Sequence, residues 1–288
     1  MTVVGIVGLG TMGLALARLF TSQDFEVRGF DARVKAISGE THPWSIRDNF
    51  TVSSSIAECV RDADLTIEAV AEDLGAKRSV LTEISSATDG IVASNTSTFM
   101  PSVLAQWVRS PERFLITHFF NPPQLVPLVE IVPGPGTTPS VTEKIDTLLR
   151  SMGRHPVLLE AECPGFVANR LQAAILREAL ALVEAGIATP RAIDDIVATG
   201  LAPRWAAAGP IGVADLGGLD IFERVCSELF PVLSNTAEPS PRLSSLVRSG
   251  HLGAKTGQGF YEHDPETDAK TFGTMQRHFE LRNSEELT

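Results

Sequence analysis

Apolar and β-branched positions fall first into a short run, Val3, Val4, Ile6 and Val7, closed by a glycine turn. A stretch from Leu14 to Phe20 then repeats at helical spacing, and a second run from Glu26 to Phe30 ends on Asp31. This is the pattern of a β-α-β unit. Further strands are predicted at Leu65 to Ala69, Ile91 to Ala93, Phe114 to His118 and Val126 to Val132, with a helix over Lys77 to Ser86 between two of them. Strands alternating with helices imply a doubly wound, mostly parallel sheet covered on both faces. Past Val157 to Leu159 the period changes. Val167, Leu171, Ala174, Ile175, Leu182 and Val183 recur at helical intervals, and Thr189-Pro190 reads as a cap with proline in the first turn of the next helix. Helices are also predicted around Gly212 to Leu229 and Ser240 to Ser249, and a frayed tail over Ser284 to Thr288. The expected organisation is an α/β domain over residues 1–162 and an all-helical domain over residues 163–288.

Composition narrows the class. With 43% hydrophobic and 20% charged residues over 288 positions, the chain can build a sizeable core. A net charge of -11 makes its surface repel nucleic acid and anionic membranes, so neither is an expected partner. Cys59, Cys163 and Cys226 stand far apart without CxxC spacing, which argues against a disulfide framework or a metal site and for a reducing cytoplasm. The run Val3 to Val7 is interrupted by glycine and lacks a basic leader, so it reads as a buried strand and not as a signal or membrane segment.

Two clusters carry candidate chemistry. Gly8-Leu9-Gly10-Thr11-Met12-Gly13 directly follows the first strand and opens the first helix, the context in which GxGxxG marks a Rossmann-type dinucleotide site. Gly8 permits the tight turn, Gly10 lets the backbone approach a pyrophosphate, and Gly13 lets the helix pack on the sheet. The N–H groups of that first turn, at Thr11 and Met12, face the phosphates. Asp31 ends the second strand where a carboxylate accepts hydrogen bonds from the adenosine ribose, so NAD is favoured over NADP, although Arg33 nearby carries the opposite charge. The second cluster is His118, at the end of an apolar strand, with Glu130 embedded in Leu128-Val129-Glu130-Ile131-Val132. Position alone fits a core histidine as well as a functional one. A carboxylate in so apolar a strand, however, needs a partner, and a neighbouring imidazole is a suitable one. Such a pair fixes the tautomer of the ring and stabilises its positive form, which suits a group that takes and returns a proton.

Gly8 to Gly13, Glu68-Ala69-Val70-Ala71-Glu72, Ser94-Asn95-Thr96-Ser97, His118-Phe119-Phe120-Asn121-Pro122, Leu128-Val129-Glu130, Pro164 to Arg170 and Lys255 to Tyr261 together, in this order, resemble the L-3-hydroxyacyl-CoA dehydrogenase family. The resemblance implies that His118 is the general acid and base, that Glu130 orients it, and that Ser97 and Asn169 contact the reacting oxygen or hold histidine and substrate in place. It also implies that Glu72, Lys77 and Asn95 line the cofactor cleft. Read without the family, Lys77 is a solvated helix charge, Asn95 to Ser97 an Asx or Ser turn, and Asn169 a helix-surface amide.

The chain also departs from the family pattern. The stretch Ala32 to Asn49 is too short for the helical hairpin that helps family members hold CoA, although Lys35 and Arg47 offer charges for a phosphate. Arg204 to Pro210 and Asn121-Pro122-Pro123 resemble the branch containing lambda-crystallin, gulonate dehydrogenase and carnitine dehydrogenase, whose substrates are free 3-hydroxy acids. Lys255 to Tyr261 points back towards the acyl-CoA enzymes. The leading expectation is an NAD-dependent L-3-hydroxyacyl thioester dehydrogenase acting on a short-chain CoA ester. The alternatives are a free 3-hydroxy acid or an acyl group on a carrier protein, and an idle crystallin-like protein is disfavoured by the retained His118, Glu130, Ser97 and Asn169. The resemblance further implies a homodimer, with apolar surface over Ile211 to Phe230.

Overall fold

The computed structural model describes residues 3–33 and 47–285. Strand β1 (Val3–Val7) leads through the glycine turn into α1 (Thr11–Thr21) and back into β2 (Glu26–Phe30). There follow β3 (Phe50–Val52), α2 (Ile56–Val60), β4 (Leu65–Glu68), α3 (Leu74–Ala87), β5 (Ile91–Ser94), α4 (Pro101–Leu104), β6 (Phe114–Phe119), β7 (Leu128–Pro133), α5 (Pro139–Ser151) and β8 (His155–Leu158). The strands form one sheet in the order β3-β2-β1-β4-β5-β6-β7-β8. All neighbours are parallel except β6 and β7. The chain runs outward from β1 to β2 and β3, then crosses to β4 on the other side, so the strand order reverses at β1. That reversal opens a crevice at the carboxyl ends of β1 and β4, the usual ligand position in open sheets of this kind.

Alternation along each strand divides the core between the two faces. On β6, Leu115 and Phe119 join the cluster packed with Leu16, Leu19 and Phe20 of α1 and Ile145 and Leu148 of α5. Phe114 and Ile116 join the opposite cluster, with Ile56 and Val60 of α2 and Leu81 and Ile84 of α3. Phe20, Phe114 and Ile67 are fully buried, each worth about 1.5–3 kcal/mol relative to exposure.

Two compact units divide after Asn169, a little beyond the expected boundary at Glu162: Met1–Asn169 with Gln276–Thr288, and Arg170–Met275. The second unit is helical, with α6 (Ala168–Glu184) from Arg170 on, α7 (Pro190–Ile196), α8 (Ala202–Gly217), α9 (Leu219–Leu229), α10 (Pro241–Arg248) and the start of α11 (Pro265–Glu285). The Thr189 hydroxyl caps α7 by accepting from Ala192 N–H, as its sequence predicts. The helix expected over Gly212 to Leu229 is instead two, because Gly218, at φ 94, breaks the path between α8 and α9. In this segment Ile211, Leu216, Leu219 and Phe230 stand exposed in the single chain. The expected tail begins inside α11, which ends at Glu285, and residues 286–288 lie outside the described residues. So does most of the short Ala32 to Asn49 stretch, including Lys35. Among the described residues no helix is long and apolar enough to cross a membrane.

Candidate active site

A cavity of about 860 Å³ opens at the carboxyl ends of the parallel strands, and its walls bring the sequence motifs together: Gly8, Gly10, Thr11, Met12, Asp31, Glu72, Asn95, Ser97, His118 and Asn169 all line it. The glycine turn fits a dinucleotide for steric reasons visible in the backbone. Gly8 has φ +99, and a side chain there would strike the Ala69 backbone at 2.7 Å. A Cβ on Gly13 would lie 1.8 Å from the Gly8 carbonyl oxygen, so α1 reaches the sheet this closely only with glycine. Gly13 is buried behind the turn, whereas the space above Gly10 is open, with nothing within 4 Å of an added Cβ. Gly10 is also the N-cap of α1, with no side-chain cap and no acidic residue in the first turn. Free N–H groups and the positive end of the helix dipole therefore face the cavity, which is what a pyrophosphate requires.

Asp31 lies where the sequence puts the ribose acceptor. Its Oδ2 accepts from Leu9 N–H at 2.9 Å, which ties the end of β2 to the glycine turn. The Arg33 guanidinium bonded to Asp31 holds its carboxyl down at about 2 against the opposing effect of burial, with help from the N–H groups of Arg33 and Leu9. The carboxylate is charged at neutral pH.

His118 and Glu130 stand directly opposite each other in the antiparallel β6-β7 pair, 5% and 3% exposed. His118 Nδ1 lies 2.8 Å from Glu130 Oε2. The other carboxylate oxygen accepts from Val167 N–H and Ala168 N–H, each at 2.9 Å. Those two donors converge because the chain before them turns through left-handed conformations at Gly165 (φ 75) and Phe166 (φ 54). A bulky residue at positive φ carries strain of about 1–3 kcal/mol, and such strain gathers at functional sites. Phe166 is fully buried and its ring lies against the imidazole, 5.4 Å between centroids. Burial works to raise the Glu130 carboxyl, but the His118 ring and the two backbone N–H groups outweigh it and leave the carboxyl below its ordinary value. An ionised carboxylate only accepts hydrogen bonds, so the shared proton belongs to Nδ1, and Nε2 of the neutral ring is left with a free lone pair.

The loop after β5 is held as firmly. Asn95 Oδ1 accepts from Phe119 N–H at 3.0 Å, which anchors the loop beside His118. Glu72 gathers the Thr96 and Thr98 hydroxyls and the backbone N–H groups of Ser97 and Thr98 on one oxygen. Burial works to raise the Glu72 carboxyl, and these hydroxyls with Lys77 bring it below its ordinary value. Asn169 Nδ2 donates to the Ser97 carbonyl at 3.1 Å, so the amide spans to the Ser97 loop and is not a free helix-surface group.

Lys77 corrects the reading of a solvated charge. It is 1% exposed, with Nζ 2.9 Å from Glu68 and 3.2 Å from Glu72, and it stands behind Glu72 and not in the cavity wall. Glu68, which the sequence reading passed over, is fully buried and also accepts from the Ser94 hydroxyl and Val70 N–H. The signal was present, since Glu68 is a carboxylate closing an apolar strand, the same feature that singles out Glu130. Removing either partner of such a buried pair strands the other, at a cost of about 3–5 kcal/mol.

Residues 32–163 match the family model for the NAD-binding domain of 3-hydroxyacyl-CoA dehydrogenase, and residues 165–263 match that for its C-terminal domain. The chain is 33% identical over 281 residues to a 5-formyl-3-hydroxy-2-methylpyridine 4-carboxylate 5-dehydrogenase of Mesorhizobium japonicum, covering 91% of each. A solved dehydrogenase for the same pyridine acid, described as an NAD+-dependent dismutase, superposes with a TM-score of 0.87 at 31% identity over 99% of both chains. An L-carnitine dehydrogenase of Oceanobacillus iheyensis is 36% identical over 232 residues, 75% of this chain and 76% of its own. The (S)-3-hydroxybutyryl-CoA dehydrogenase of Ralstonia eutropha superposes with a TM-score of 0.70 at 28% identity, over 92% of this chain and 99% of its own. The cofactor is NAD and the reaction is that of a dehydrogenase acting on a CH–OH group. The chain belongs to the 3-hydroxyacyl-CoA dehydrogenase family.

Proposed function

We propose that this chain interconverts a hydroxyl and a carbonyl on a small free carboxylate, with NAD as cofactor and His118 as the proton-handling group. The observation that carries the substrate class is the whole-chain match at TM-score 0.87 to a dehydrogenase of a small pyridine carboxylate, against 0.70 for a hydroxybutyryl-CoA enzyme. A second reading, a short-chain 3-hydroxyacyl group on CoA or a carrier protein, is favoured by the two family-model matches.

The chemistry follows from the site in either case. NAD supplies the hydride acceptor, or in reduced form the donor. In the oxidative direction His118 Nε2 takes the hydroxyl proton, and the charge that appears on the ring is met by Glu130 at 2.8 Å. Because Glu130 already accepts from Val167 and Ala168, it cannot swing away, so the ring keeps one orientation through both protonation states. Ser97 and Asn169, joined through the Ser97 carbonyl, border the same cavity and orient the reacting oxygen. In the reductive direction each step reverses, and His118 returns the proton to oxygen.

Side-by-side assays with NADH and NAD+ separate the readings. A small 3-oxo or formyl carboxylate is expected to turn over with a kcat/KM at least about tenfold above acetoacetyl-CoA or a carrier-bound analogue, the scale of discrimination a pocket achieves from one or two contacts. A preference of that size for acetoacetyl-CoA would transfer the assignment to the thioester reading. Turnover of none of them would remove both.

A further inference from the structure

The turn after β2 places a carboxylate and a guanidinium in contact where the adenosine ribose is to be held. Asp31 Oδ1 accepts from the Arg33 backbone N–H at 3.0 Å and from Nε at 2.8 Å, while Oδ2 accepts from Nη2 at 2.7 Å as well as from Leu9. Nη2 also reaches the Leu9 carbonyl at 3.3 Å. The arginine fork closes on both carboxylate oxygens, and the pair carries no net charge. An acidic residue at this position selects NAD by accepting from the ribose 2′-hydroxyl and repelling a 2′-phosphate, whereas a nearby arginine accommodates that phosphate. Here both groups are present and already bonded to each other.

We propose that Arg33 is a specificity-determining residue that admits NADP(H) alongside NAD(H), by cancelling the Asp31 charge and offering its guanidinium to the 2′-phosphate. The side chain is free to do so. It is 65% exposed and lines the cofactor cavity, and its Nη1 makes no hydrogen bond among the described residues. Nη1 can meet the phosphate while Nε and Nη2 keep their hold on Asp31, which is 11% exposed and fixed by Leu9. With the unphosphorylated cofactor, the ribose hydroxyls must compete with Arg33 for the same carboxylate oxygens. Arg33 therefore acts in opposite directions on the two cofactors, which a purely structural residue would not do. The inference rests on the cofactor site alone, so it stands or falls independently of the substrate class.

The test is equilibrium titration of the purified chain with NADH and NADPH, followed by nicotinamide fluorescence with no substrate present. The unaltered chain is expected to bind both, with Kd values within about tenfold of each other, and Arg33→Ala is expected to weaken NADPH by about tenfold or more while NADH binding is unchanged or tighter. Arg33→Lys, which keeps the charge without the planar fork, is expected to fall between. Asp31→Asn is expected to weaken NADH and spare NADPH. Failure of the unaltered chain to bind NADPH where NADH saturates would overturn the proposal. So would an equal loss of both cofactors in Arg33→Ala, which would mark a residue that packs on the adenine, or no change in either. An unchanged melting temperature of each variant shows that the fold is retained.

Discussion

Exchange of His118 for glutamine is expected to lower kcat by about 10²–10⁴-fold while leaving the Kd of NADH within about threefold of its original value. Glutamine fills much of the space of the imidazole and can donate an N–H to Glu130, so the β6-β7 pair and the two core clusters have little reason to rearrange. It has no group that takes up a proton at neutral pH, and the buried site admits little solvent to replace it, since His118 is 5% exposed. The glycine turn and Asp31, on which the cofactor rests, share no hydrogen bond with His118. Steady-state kinetics together with NADH titration check the result. Loss of NADH affinity in step with kcat would assign His118 a structural role.

Glu130→Gln is expected to lower kcat by about 10²-fold or more and also to destabilise the fold by about 1–3 kcal/mol, because the exchange leaves buried donors without acceptors. The carboxylate serves three donors: His118 Nδ1–H on one oxygen, Val167 and Ala168 N–H on the other. An amide has one accepting oxygen, so its NH2 must confront either the imidazole N–H or the two backbone N–H groups. In the first arrangement the ring is driven to the wrong tautomer; in the second the strained Gly165-Phe166 turn loses its anchor. The stability loss has a pH signature. The Glu130 carboxyl is held below its ordinary value of 4.5 in the fold, so its contribution is complete above the unfolded value and is lost as pH falls through the lower folded value. The gap in melting temperature between the two proteins is expected to be widest near neutrality and to narrow in acid, below the unfolded value of 4.5. A gap that widens in acid would mean that the carboxyl is not stabilised in its charged form.

Much of this site could be read before any coordinates because its residues sit where local chemistry is conspicuous. A carboxylate inside Leu128 to Val132 has no cheap explanation other than a partner, and the partner it predicts is the one it meets across the β6-β7 register. The glycine turn and Asp31 were legible for a similar reason, since strand, glycines, helix and acid occur at fixed offsets. Read without the family, Lys77 passes for a solvated charge because spacing records which helix face a residue occupies, not what covers that face; in the fold its ammonium pairs with Glu68 and Glu72. The short elements β3, α2 and α4 have too few residues for a period to register. Helix α5, whose apolar positions Val141, Ile145, Leu148 and Leu149 recur at helical spacing, was not among the predicted elements. The split of the expected helix at Gly218 turns on a left-handed backbone that two adjacent glycines permit without requiring. Nor could spacing reveal that Phe166 adopts a positive φ to aim two N–H groups at Glu130.

The proton position on the neutral His118 ring tests the central claim most directly, and nitrogen-15 NMR of the histidine-labelled protein reads it. The expected result is a neutral ring with its hydrogen on Nδ1, directed at Glu130, and a bare Nε2. A neutral ring carrying its hydrogen on Nε2 would contradict it, because that nitrogen could then no longer accept the proton of the substrate hydroxyl.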